Sequence, residues 1–89
     1  MANYSVFIEK KAQKQLEKLP KDLRIRISNA IDIIQDEDFS QNLDIKKLKG
    51  LGNRYRVRVG NYRILFETSK NNTIIVYAIL PRETAYGKT

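Results

Sequence analysis

Apolar and polar positions along this chain follow two periods, and the switch between them marks the elements. From Arg54 to Phe66 (RYRVRVGNYRILF) the period is 2, with Tyr55, Val57 and Val59 alternating with Arg54, Arg56 and Arg58. Strict alternation is the pattern of a strand with one buried and one wet face. Gly60-Asn61 predicts a two-residue hairpin turn, since both residues tolerate positive φ. The second arm, Tyr62 to Phe66, resumes the alternation. A two-residue loop fixes the register. Val59 then lies opposite Tyr62, Val57 opposite Ile64 and Tyr55 opposite Phe66. On the other face Arg58 lies opposite Arg63, Arg56 opposite Leu65 and Arg54 opposite Glu67.

The period before this block is helical. Tyr4 to Ile8 (YSVFI) predicts a short strand, rich in aromatic and β-branched residues. From Glu9, EKKAQKQLEKL places Ala12, Leu16 and Leu19 on one narrow stripe, with Lys10, Lys11, Lys14 and Lys18 opposite. Pro20 ends that helix and suits the first turn of the next, where Asp22 complements the macrodipole. The second helix, about Lys21 to Gln35, carries a broad stripe of Leu23, Ile27, Ala30, Ile31 and Ile34. Ile25 falls off it, against the first helix or toward a partner. Asp36-Glu37-Asp38 is an acidic stop. Leu43 to Asn53 reads as a basic, partly apolar connector ending in glycines. After the hairpin, Ser69 to Asn72 is a polar turn. Thr73 to Leu80 (TIIVYAIL) is apolar on both faces, as a central strand is.

The predicted order is β-α-α-β-β-β: an α+β fold with a four-stranded antiparallel sheet, and one domain over residues 1–89. The N-terminal helical hairpin covers one face, expected to hold Tyr55, Val57, Val59, Tyr62, Ile64, Phe66, Ile75, Tyr77 and Ile79. Ile74, Val76, Ala78 and Leu80 are expected on the arginine face, left open with a basic rim and a shallow apolar floor.

Composition narrows the chemistry. There are 89 residues, with no cysteine and no histidine. Disulfides, thiolate metal sites and the commonest general base are therefore excluded, and no cofactor is implied. Seventeen basic residues against ten acidic ones give +7. Such a field favours nucleic acid, an anionic surface or an acidic protein. No apolar run approaches a membrane span and no signal-peptide core opens the chain, so a cytoplasmic protein is expected.

Arg58 and Arg63 as direct neighbours repel, by a few tenths to about 1 kcal/mol. Either an anion binds there or the arginine stems merely cover a solvated edge. Arg56, Arg58, Arg63 and Arg82 converge on one side of the sheet, and Tyr86 follows Arg82 in the tail. Arginines grip phosphate bidentately, and a tyrosine ring stacks on an unpaired base. Lys46, Lys47, Lys49 and Arg54 extend the basic surface. This set suits single-stranded RNA, whose own 2′-OH attacks the neighbouring phosphate once that phosphate is held and its charge stabilised. Lys49, Glu67, Glu83 and Tyr86 are the candidate bases, and the residues do not choose among them.

With these motifs the chain resembles the RelE/ParE superfamily of toxins from bacterial and archaeal toxin–antitoxin pairs. The likeness covers nearly the whole chain. It is most specific at Leu48-Lys49-Gly50, Arg56-Val57-Arg58, Tyr62-Arg63 and the final Arg82…Tyr86. It implies a small sheet with two N-terminal helices, like the microbial ribonucleases. It also implies a ribosome-dependent mRNA endoribonuclease that cuts in the A site without a metal. In the role set so implied, Arg58, Arg63, Arg82 and Tyr86 are catalytic. Arg56, Lys46, Lys47, Lys49 and Arg54 bind RNA. The implied partners are the ribosome, mRNA and an acidic RelB-like antitoxin in a hetero-oligomer. Two departures stand out. Arg56 and Arg58 replace lysines, and Pro81 stands where many ribonuclease members have histidine. Both bear on proton transfer. ParE-type relatives poison DNA gyrase instead. A third reading is a module that only binds its antitoxin.

Overall fold

The computed structural model describes residues 4–35, 44–48, 50 and 52–84. The elements run β1 (Ser5–Ile8), α1 (Lys10–Glu17), α2 (Lys21–Gln35), β2 (Asp44–Lys47), β3 (Arg54–Val59), β4 (Tyr62–Ser69) and β5 (Thr73–Pro81). A helical turn begins at Arg82. Among the described residues no helix is long and apolar enough to cross a membrane.

The hairpin register is the one the alternation predicts, from Val59 opposite Tyr62 to Arg54 opposite Glu67. Gly60 takes φ +57, but Asn61 is not in the left-handed region. The turn therefore has one left-handed residue, at its first central position. The Tyr55 and Phe66 rings stack across the pair with centroids 5.3 Å apart.

The sheet departs from the expected four antiparallel strands. It has five, in the order β1-β5-β4-β3-β2, and β1 runs parallel to β5. The added strand is β2, within the stretch read as a connector, and it pairs antiparallel with β3. It is four residues long, and Ile45 is its one apolar residue, packed at the edge of the core. So short a strand shows no alternation, and its charged residues blunt the sheet edge.

A second correction concerns β5. Leu65 pairs with Ala78 but Phe66 pairs with Val76, so Tyr77 is an extra, bulged residue. One inserted residue flips every side chain beyond it. Ile79 keeps its predicted place in the core. Ile74 and Val76, expected on the arginine face, join the core instead, and Ile75 and Tyr77 leave it. A strand apolar on both faces carries no pattern from which that slip is readable.

The core lies between the helices and one sheet face. Ala12 and Leu16 of α1 and Ile27, Ala30, Ile31 and Ile34 of α2 meet Val57, Val59, Ile64, Phe66, Ile74, Val76 and Ile79. The helical stripes thus fall as the 3.6 period sets them, except that Leu23, half-buried, is not part of this core. Ile25 is 49% exposed. It sits at a groove between α1 and α2 rather than packed away.

Where β1 stops pairing, α1 takes over the outer side of β5. The Glu9 amide donates to the Val76 carbonyl at 2.9 Å. The Ile79 amide donates to Gln15 Oε1 at 2.8 Å. Both satisfy main-chain groups that would otherwise be left without partners.

Phe66 is fully buried at the centre of the sheet. Phe66→Ala is expected to lower the unfolding free energy by about 3–5 kcal/mol, measured by urea titration.

Candidate nucleic-acid interface

Strand register places the basic side chains. Asp44, Arg58, Arg63 and Leu80 form one row across β2, β3, β4 and β5. Neighbouring backbones in such a row lie about 5 Å apart. Arg82 follows β5 by one residue, and its amide donates to the Asn61 carbonyl at 2.8 Å. The backbone of Arg82 thus lies beside the Gly60-Asn61 turn that separates Arg58 from Arg63. Tyr86 and Lys49 lie outside the described residues.

The three arginines differ in setting. Arg63 is 2% exposed, and its Nη1 donates to the carbonyls of Gly60 at 3.1 Å and Tyr62 at 2.9 Å. It ties down the hairpin tip from within. Arg58 is exposed, and its Nε lies 3.1 Å from an Asp44 carboxylate oxygen. Arg82 is exposed at the start of the helical turn. The repulsion expected between Arg58 and Arg63 is thus relieved on both sides, by carbonyl dipoles for one and by Asp44 for the other.

The centre of this face is not the open floor that was expected. Arg56 is 8% exposed, and Leu65 and Ala78 are buried with it. Exposed cationic groups remain at the tip, in Arg58 and Arg82, and along β2 in Lys46, while Lys47 is exposed on the other face.

The far end of the hairpin is a separate cluster. Arg54 pairs with Glu67 at 3.3 Å and lies over the Tyr77 ring, 4.8 Å from its centroid. Glu67, one of the candidate bases, is engaged there rather than at the tip. The buried Tyr77 hydroxyl makes no well-formed hydrogen bond among the described residues, and its polar neighbour is the Arg54 guanidinium. Burial pushes its pKa up, against the opposing charge of Arg54.

Two participants escaped sequence reasoning. Asp44 was assigned to a connector. Arg26 was an anonymous position flanking the α2 stripe. Its guanidinium lies over Gly60, with Nη1 3.3 Å from where a Cβ on that residue would sit. The arginine spacing within KDLRIRIS gives no sign of this, because helix-to-hairpin contact is set by tertiary packing.

Comparison with known proteins gives a consistent result. Residues 6–86 match the family described as ParE toxin of type II toxin–antitoxin system, parDE. Toxin RelE3 of Methanocaldococcus jannaschii is 41% identical over 83 residues, which is 91% of this chain and 93% of that protein. The toxin–antitoxin complex RelB–RelE from Methanococcus jannaschii contains a chain 38% identical, with a TM-score of 0.79, covering 92% of this chain and 96% of that one. The archaeal RelE–RelB complex from Pyrococcus horikoshii OT3 has one 33% identical, also at 0.79, covering 91% and 97%.

Two outcomes follow from the tip and the far cluster. Gly60→Ala forces an L-residue to φ +57 and should cost about 1–2 kcal/mol, read by thermal unfolding. Tyr77→Phe removes a buried hydroxyl that makes no well-formed hydrogen bond, so near neutral pH it should leave stability unchanged or raise it by up to about 1 kcal/mol. In the wild type, the unfolded chain ionises this phenol at lower pH than the folded one does. Stability should therefore fall as pH rises above the ordinary tyrosine range. Urea titrations of both proteins at neutral and alkaline pH should show that part of the fall missing from Tyr77→Phe.

Proposed function

The chain belongs to the RelE/ParE superfamily, toxins of type II toxin–antitoxin systems, and from that premise we propose that it is a ribosome-dependent mRNA endoribonuclease. The observation that carries this reading is the gathering of Arg58, Arg63 and Arg82 around one hairpin tip. Three guanidinium groups there match the charge that develops on a phosphodiester under attack.

In the proposed reaction the 2′-oxygen attacks phosphorus and the bond to the 5′-oxygen breaks. The 2′-OH proton goes to a base and the 5′-oxygen receives one from an acid. The product is a 2′,3′-cyclic phosphate. No metal is needed, because the substrate supplies the nucleophile. Arg58 and Arg82, both exposed, grip the non-bridging oxygens. Arg63 fixes the tip and adds its charge from beneath. Tyr86 stacks on a base or passes a proton. Lys46, Lys47 and Lys49 steer the RNA, and the more covered Arg54 and Arg56 add to the same positive field. Glu83 directly follows Arg82 and is exposed, so it stays a candidate for proton transfer at the tip.

The proposed partner is a cognate, acidic RelB-like antitoxin forming a hetero-oligomer with this chain. The two archaeal relatives above were solved as complexes with RelB, and the +7 charge of this chain favours an acidic partner. A gyrase-poisoning reading also has an observation behind it, because the matching family is described as ParE.

Toeprinting in a translation extract separates the two. Cuts in A-site codons are expected with the wild type. Intact message with arrested supercoiling by gyrase would overturn the ribonuclease reading. Arg82→Ala should lower cleavage by about 10²-fold or more in a protein that circular dichroism shows to be folded. It is a cleaner probe than Arg63→Ala, which also strips the Gly60 and Tyr62 carbonyls of their buried donor.

A further inference from the structure

The hairpin tip is bracketed by guanidinium groups on both sides. Arg63 holds the Gly60 carbonyl from the sheet. Arg26, from the middle of α2, lies against the Gly60 Cα, with Nη1 at 3.3 Å and Nη2 at 3.5 Å from a Cβ built there. Beside them a groove of about 320 Å³ is walled by Arg26, Asn29, Arg58 and Gly60 over an apolar floor that includes Ile33. Among the described residues no carboxylate lines this groove and none pairs with Arg26. Asp22, one helical turn earlier, makes no ion pair with it.

Arg26 is solvent-exposed, so little desolvation opposes a ligand. Gly60 has no side chain, and the Arg26 guanidinium occupies the space one would take, at the edge of the groove. Asn29, one turn further along α2, adds an amide donor at the same wall.

We propose that Arg26, with Asn29, forms a second phosphodiester subsite on the helix side of the tip. A nucleic-acid backbone gripped at Arg58 and Arg82 then crosses Gly60 and continues onto α2. The subsite rests on the ribonuclease reading for its place in the substrate path, but its ligand chemistry is tested without any cleavage. That chemistry, a phosphodiester, is shared by message and ribosomal RNA.

The test compares the full chain with Arg26→Met, which keeps the stem, and Arg26→Lys, which keeps the charge. Each is titrated with a short labelled single-stranded oligoribonucleotide over a range of salt concentrations, and each is sedimented with vacant ribosomes. Circular dichroism melts establish that each variant is folded. Arg26→Met should bind roughly tenfold more weakly at low salt. Its slope of log affinity on log salt should be shallower by about 0.7, the loss of one phosphate contact. Arg26→Lys should keep the wild-type slope. Loss with the oligonucleotide assigns the subsite to message, and loss with vacant ribosomes alone assigns it to ribosomal RNA; either supports the proposal. Wild-type affinity and slope for Arg26→Met on both probes overturns it, whatever toeprinting shows. Equal weakening of both variants, or a defect seen only with an acidic antitoxin peptide, overturns it as well.

Discussion

A charged group buried under a two-residue turn holds this molecule's working end in shape. The Arg63 guanidinium, 2% exposed, donates to the carbonyls of Gly60 and Tyr62. Its position in β4 is fixed by the alternation that sends Tyr62, Ile64 and Phe66 into the helix-covered core. Burying an ion is costly unless dipoles or countercharges meet it, and here two main-chain carbonyls do so. Strand pairing sets Arg58 opposite Arg63, and the Arg82 amide, bonded to the Asn61 carbonyl, holds the start of the helical turn beside the same tip.

This arrangement separates two electrostatic tasks along one hairpin. At the tip, Asp44 pairs with Arg58. At the other end, Glu67 is drawn into a pair with Arg54 above Tyr77. Glu67 so held adds no negative charge at the tip, where Asp44 and Glu83 stand among three arginines. Charge stabilisation is thereby well supplied, while proton transfer falls to groups near or beyond Arg82.

Much of this was legible in the residues, for identifiable reasons. The β3–β4 register follows from period 2 plus a two-residue loop, and each pair from Val59–Tyr62 to Arg54–Glu67 obeys it. The α2 stripe is broad enough to fix its own face. What escaped lacks a local signal. β2 has one core-facing residue, so periodicity is silent there. The bulge hides in TIIVYAIL because both faces are apolar. Asp44 and Arg26 reach the tip only through tertiary packing, which no spacing within a helix or strand encodes. Lys49 and Tyr86, both named from motifs, lie outside the described residues.

The bulge at Tyr77 also says something about how this strand tolerates change in length. With Tyr77 left out, Ile74, Val76 and Ile79 occupy alternate positions of a regular strand. The pairs from Phe66–Val76 to Ser69–Thr73, and from Leu65–Ala78 to Tyr62–Pro81, keep their partners. Tyr77 is thus a one-residue insertion into an otherwise ideal ladder. A single deletion in the middle of a central strand ordinarily turns its core outward. At this one position it restores the pleat, and what is given up is the ring beneath Arg54.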